Sequence, residues 1–189
     1  MSVYEVQEVI NAIINLKQKT LLIVLYSTGL RLSEMANLKI EDIDSTLMRI
    51  KVVNGKGKKD RFVPLSPLVL LQLRQYYIQY KPITYLFNGR AVGKRYAPRT
   101  IQKILQNTLA KIGLQHKNYT VHTIRHSFAT HLVDNGADLQ LIQELMGHHH
   151  LSQTTAYLHL STKRMHQAVN PYDAMLAQMN TNNTTNKNV

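Results

Sequence analysis

The sequence predicts an α+β fold that is mainly α, a helical domain carrying one small antiparallel β-hairpin or sheet. Three observations predict it. Apolar residues recur at helical spacing along most of the chain, β-rich sequence is confined to two short runs flanking Asn54-Gly55, and capping residues or glycines punctuate the helical runs. The 189 residues suffice for one domain with its own core.

The elements follow in order. Ser2 with Glu5 forms a capping box, and Val6, Val9, Ile10, Ile13 and Ile14 carry an amphipathic helix to about Leu16. Thr20 to Thr28 is apolar all round, which predicts a buried helix that Gly29 stops. A short helix follows at Ser33 to Leu38. Leu47 to Val53 reads as a strand, Asn54-Gly55 as a turn and Arg61 to Val63 as the returning strand. Pro67 opens a helix with Leu68, Leu71 and Leu73 inward. Thr100 to Ile112 places Ile101, Ile104, Leu105 and Leu109 on one face. Thr120 to Asn135 is a helix ended by Gly136. Asp138 caps a helix with Leu139, Ile142, Leu145 and Met146, which Gly147 stops. Ser152 caps a last one holding Tyr157. Residues 1–179 are expected to form the domain and 180–189 a disordered polar tail, since the tail holds five Asn and three Thr and nothing to bury.

Lys and Arg number 23 against 11 Asp and Glu, a formal charge of +12, which points to a polyanionic partner such as nucleic acid. Arg61 to Val133 contains no acid but eleven Lys or Arg. That weakens two-carboxylate glycosidase and two-metal nuclease readings. The acids Glu34, Glu41, Asp42 and Asp44 read as helix caps and as balance for Arg31 rather than as metal ligands. One basic concentration runs from Arg49 to Arg61, including Lys56, Lys58 and Lys59, and another from Arg90 to Lys103, including Arg95 and Arg99; phosphate neutralisation accounts for both. The absence of Cys excludes disulfides, thiolate zinc sites and a cysteine nucleophile. The longest apolar run, Leu21 to Tyr26, is too short to span a bilayer, and no signal pattern opens the chain, so a cytoplasmic protein without membrane contact is expected.

Four islands carry chemistry. In Thr28 to Glu34, Arg31 follows a buried helix, where its guanidinium matches a phosphate bidentately or pairs with Glu34. In Asn54 to Arg61, a lysine at the hairpin tip suits proton donation to a leaving alkoxide, and chemistry alone does not choose among Lys56, Lys58 and Lys59. In His122 to His131, His122 and Arg125 are three apart and share a helix face, an arrangement suited to a phosphoryl oxygen. His122 and His126 have zinc-helix spacing, but the accompanying glutamate is missing, so no metal is expected. In Leu145 to Tyr157, consecutive histidines point in different directions and seldom share one ion. Tyr157 competes with nine other tyrosines.

Together these islands resemble the catalytic domain of tyrosine recombinases, the phage-integrase and Xer-like family. Thr28 to Asp44 is similar to its TGLR-[IL]-SE stretch, Gly55 to Leu65 to its GKGxKxRxVPL hairpin, Thr120 to Leu132 to TxHxLRHSFATHL, and Leu145 to Tyr157 to LxGHxxxxTTxxY. The resemblance covers about Ser2 to Asn170, with Arg125 and His148 23 positions apart and His148 and Tyr157 nine apart.

The resemblance implies site-specific DNA recombination or integration by strand cleavage and rejoining through a 3′-phosphotyrosyl intermediate. It implies that Arg31 and Arg125 grip the scissile phosphate, that His122 and His148 complete its shell, that Lys56 is the acid for the 5′ oxygen and that Tyr157 is the nucleophile. Lys58, Lys59, Arg61, Arg95 and Arg99 are expected to bind DNA. No cofactor, metal or ATP is implied. The implied partners are double-stranded DNA and further copies of the chain or a partner recombinase. The family's N-terminal core-binding domain is expected to be absent, since the chain opens on the first catalytic-domain helix. The competing readings are a type IB topoisomerase-like enzyme, separable by supercoil relaxation, and a non-catalytic or accessory DNA-binding module, separable by covalent trapping.

Overall fold

The structure, a computed structural model, describes residues 1–53, 60–89, 93–148 and 152–155. The Asn54-Gly55 turn, Lys56, Lys58, Lys59, Arg90, His149, His150, Tyr157 and the tail lie outside these residues.

The Ser2 capping box forms as expected: Glu5 N–H donates to Ser2 Oγ at 3.1 Å and Ser2 N–H to Glu5 Oε2 at 2.7 Å. Helix α1 spans Val3–Ala12, shorter than the periodicity suggests. Asn15 ends the ambiguity by capping the next helix through its side chain, which accepts from Gln18 N–H at 3.1 Å. Helix α2 therefore starts earlier than expected and spans Leu16–Thr28. It buries Leu21, Leu22, Val24 and Leu25, and it packs against α1 and two later helices, so it is the centre of the core.

Gly29 closes α2 in the left-handed conformation, φ 60°. A Cβ there would lie 2.3 Å from Phe128 Cδ1 and 2.6 Å from its Cε1. Gly29→Ala combines an unfavourable backbone with a clash against a packed ring. It is expected to destabilise the domain by about 2–3 kcal/mol, and a loss below about 0.5 kcal/mol in urea denaturation would contradict this packing.

Helix α3, Leu32–Asn37, leads into a three-stranded antiparallel sheet of order β1-β2-β3, with β1 Ile43–Asp44, β2 Arg49–Val52 and β3 Arg61–Pro64. The register pairs Ile50 with Val63 and Val52 with Arg61. Alternation then sends Ile50, Val52 and Val63 into the core. Lys51 and Phe62 face outward, where Arg49 lies over the Phe62 ring at 4.2 Å.

Helix α4, Pro67–Tyr80, buries Val69, Leu73 and Tyr76. Leu68 and Leu71 are exposed, against expectation, because the buried set follows the 3.6-residue period from Val69 and leaves them on the opposite face. Helix α5, Pro98–Lys111, buries Ile101, Ile104, Leu105 and Leu109 as expected. Helix α6, Val121–Asp134, is capped by Thr120. Helix α7, Leu139–Met146, is capped by Asp138 and stopped by Gly147 in the left-handed region, and α8 spans Ser152–Thr155. Helices α6 and α7 pack together, and α7 also packs on β3. Among the described residues no helix is long and apolar enough to cross a membrane.

Candidate active site

The site is built where three elements converge on the C-terminal end of α7. The left-handed turn at Gly29 aims Arg31, the residue before α3, toward that end. Arg125 arrives from the second turn of α6, and Arg61 from β3. Each arginine takes one of the helix's terminal carbonyls. Arg61 Nε donates to Leu145 O at 2.8 Å, Arg125 Nη2 donates to Met146 O, and Arg31 Nη2 donates to Gly147 O at 2.9 Å. Terminal carbonyls have no partner inside their own helix and carry partial negative charge, so cations suit them.

Glu34 ties the arginines together. Its Oε1 accepts from Arg31 Nη1 and Arg61 Nη1, both at 2.8 Å, and its Oε2 accepts from Arg61 Nη2 at 2.9 Å and from the Arg31 backbone N–H at 2.8 Å. Arg125 Nη1 donates to Gly29 O and stands 4.0 Å from Glu34 Oε2. Burial alone would raise the Glu34 carboxyl, but the hydrogen bonds from Arg61 and Arg31 overcome it and hold the group at about 2. Three guanidiniums around one buried carboxylate leave a surplus of positive charge.

Beside this cluster opens a cleft of about 450 Å³ lined by Arg31, Ser33, Gln102, Thr120, His122 and Arg125. His122 and Arg125 therefore do share a face of α6, and that face meets Arg31. The His122 ring packs edge-to-face on His126, with centroids 4.2 Å apart. Burial and then the nearby Arg125 and Arg31 charges keep His122 below its ordinary value.

His148 follows the Gly147 stop directly. Its backbone N–H donates to Gln143 O at 3.1 Å, and its Nδ1 lies 2.9 Å from the hydroxyl of Thr154, which is fully buried. This contact joins the start of α8 to the site three residues before Tyr157. Burial, then Arg125 and Arg31, push His148 down to about 4. Among the described residues no three His, Asp or Glu side chains converge as a metal-binding group.

Of the residues expected from sequence, Arg31, His122, Arg125 and His148 thus belong to one cationic locality. Lys56, Lys58, Lys59 and Tyr157 lie outside the described residues. Arg95 is exposed and donates to Asn37 Oδ1 at 2.7 Å, and Arg99 is exposed near the start of α5. Arg61 points inward, its side chain 11% exposed. Sequence reasoning paired Glu34 with Arg31 but did not foresee that Glu34 also holds Arg61 and faces Arg125, and it gave Thr154 no role. The three-residue step from Arg31 to Glu34 was the signal for that pair, and no local pattern marks the rest.

The sequence profile of the phage integrase family matches residues 1–164. The tyrosine recombinase XerA of Pyrococcus horikoshii is 38% identical over 168 residues, which cover 87% of this chain and 58% of the relative. The crystal structure of XerA recombinase matches with a TM-score of 0.76 at 30% identity, over 97% of this chain and 62% of that one. The catalytic domain of bacteriophage HP1 integrase has the same fold, with a TM-score of 0.64 at 20% identity, over 89% of this chain and 91% of that one. The chain spans little more than half the length of the curated recombinase from Pyrococcus horikoshii.

Proposed function

The chain belongs to the phage integrase family, and from that premise we propose that it cleaves and rejoins duplex DNA in site-specific recombination or integration. The observation that carries the reading is the meeting of Arg31, Arg125 and His122 at one cleft, with His148 close enough to feel both arginine charges and a single carboxylate, Glu34, against three guanidiniums.

A phosphodiester transition state gathers negative charge on its non-bridging oxygens, and fixed cations and N–H donors stabilise that charge. In this reading Arg31 and Arg125 hold those oxygens, and His122 and His148 donate to them. A neutral His148 donates through Nε2 when the Thr154 hydroxyl donates to Nδ1. Tyr157 Oη attacks phosphorus, the bond to O5′ breaks, and Lys56 gives O5′ its proton. The products are a 3′-phosphotyrosyl bond and a free 5′ hydroxyl. The reverse step, with a new 5′ hydroxyl as nucleophile, rejoins the strand. The phosphoester bond energy is retained, so the cycle requires neither ATP nor a metal. The reading places the protein in the cytoplasm with DNA, acting with further copies of itself or with a partner recombinase.

The experiment is incubation with nicked suicide DNA followed by a denaturing gel. A covalent adduct that forms in the presence of chelator is expected. No adduct on any candidate site would overturn the reading, and loss of the adduct with EDTA would overturn its metal-free form.

Duplex affinity is expected to fall steeply with salt, because each neutralised phosphate contributes about 0.9 to the log–log slope. The +12 charge motivates this, and Arg99, exposed near the start of α5, is one expected phosphate contact. Arg99→Ala is expected to lower the slope by about one contact's worth. A near-zero slope for the unmodified chain, in titrations followed by fluorescence anisotropy, would contradict it.

A further inference from the structure

Of the described residues expected to bind DNA, Arg61, Arg95 and Arg99, Arg61 is the one whose surroundings least fit that role, its side chain being 11% exposed while the other two residues are exposed. Strand parity places it on the inner face of the sheet, opposite Val52 and in phase with Val63, both buried. All three of its donor nitrogens are engaged within the protein. Nη1 and Nη2 hold both oxygens of Glu34 at 2.8 and 2.9 Å, and Nε holds Leu145 O at 2.8 Å. The side chain also lies on Gly147: a Cβ at that position would be 3.2–3.3 Å from Arg61 Nη1, Cζ and Cδ.

We infer that Arg61 is a positioning residue that clamps α3 to the C-terminal turn of α7, setting Arg31 and His148 against the reacting phosphate, and that it does not contact DNA. This deepens the proposed function and rests on it. The Glu34 oxygens that Arg61 holds are the same ones that hold Arg31. The turn it presses on supplies the Gly147 carbonyl to Arg31 and leads directly into His148. Arg61 also begins the strand that follows the hairpin segment containing Lys56, so one side chain links the strand bearing that segment to both halves of the phosphate shell. The geometry requires a planar fork. Lysine cannot reach two carboxylate oxygens and a carbonyl in these directions at once.

The test uses Arg61→Gln and Arg61→Lys in the full chain, each first checked for a cooperative thermal transition. Three readings follow. The salt slope of duplex binding should match the unmodified chain, whereas a lost phosphate contact lowers it by about 0.9. The His148 midpoint, followed by NMR without DNA, should rise in Arg61→Lys, which keeps the nearby positive charge, from about 4 toward the ordinary value of about 6.5, because the turn that shields it is released. Single-turnover cleavage of suicide DNA should fall about 100-fold or more in both variants, the scale of a 1 Å misplacement. A slope lowered by about one contact with the His148 midpoint unmoved would overturn the inference and return Arg61 to the DNA-binding set. So would wild-type cleavage by Arg61→Lys. Unfolding of both variants would overturn it too, since Arg61 would then be a strut of the core. If the unmodified chain forms no adduct, the recombinase reading fails. The slope and the His148 midpoint, neither of which needs cleavage, still decide the place of Arg61.

Discussion

Tyr157→Phe is expected to abolish the covalent adduct with suicide DNA while leaving duplex affinity and folding nearly unchanged. The substitution removes one oxygen and almost no volume. Its cost to stability is at most that of a lost hydrogen bond, about 1 kcal/mol. Its cost to the reaction is total, because phenylalanine has no atom that can bond to phosphorus. The assignment rests on the nine-residue step from His148 and on the hydrogen bond between His148 and Thr154, which ties the first turn of α8 to the phosphate site three residues before Tyr157. Phenol is a poor nucleophile at neutral pH, so the cationic cleft is required a second time, to favour the phenolate. Denaturing gels and anisotropy titrations of the two proteins in parallel check the expectation. An adduct that persists in the Phe variant would assign the nucleophile to another of the ten tyrosines.

Local patterns foretold the helical ends well, and the physics explains where they stopped. The Ser2 box, the Gly29 and Gly147 stops and the Asp138 cap are interactions among neighbours, which sequence displays directly. Helix α4 misled because Leu68, Leu71 and Leu73 look alike by composition, and what separates them is phase relative to Val69 and Tyr76. Arg61 was counted with the hairpin's basic residues, although its two-residue step from Val63 already placed it on the inner face once the strand register was known. The arginine set at the end of α7 was beyond local reading. Its bonds join residues 116, 84 and 21 positions apart, and no short-range pattern announces a contact of that length. The resemblance grouped Arg31, Arg125, His122 and His148, but did not reveal that the negative end of a helix and one carboxylate hold the arginines.

That carboxylate motivates the second large effect. Glu34→Gln keeps the shape of the side chain and removes its charge, so three guanidiniums lose their shared counter-ion inside the protein. Breaking a buried pair by neutralising one partner typically costs about 3–5 kcal/mol. The pH dependence gives an independent size and sign. The Glu34 carboxyl is held at about 2, below its ordinary value of 4.5, so its contribution, about 3 kcal/mol by linkage, is fully present above pH of about 4.5 and is lost as pH falls toward about 2. His148 contributes a separate limb. It is held at about 4, below its ordinary value of 6.5, so its contribution is present above about pH 6.5 and is lost as pH falls toward about 4. Both proteins should therefore weaken as pH drops below about 6.5, whereas the gap between them should stay constant down to about pH 4.5 and close below it, where protonated Glu34 resembles glutamine. Urea denaturation of both proteins at about pH 7, 5 and 3.5 measures that gap. A difference under about 1 kcal/mol at neutral pH, or one that fails to narrow in acid, would mean that Glu34 does not organise the arginines. At neutral pH the same variant should also lose most strand cleavage, because a neutral amide with one acceptor oxygen cannot hold both the backbone N–H and the guanidinium of Arg31 at the cleft.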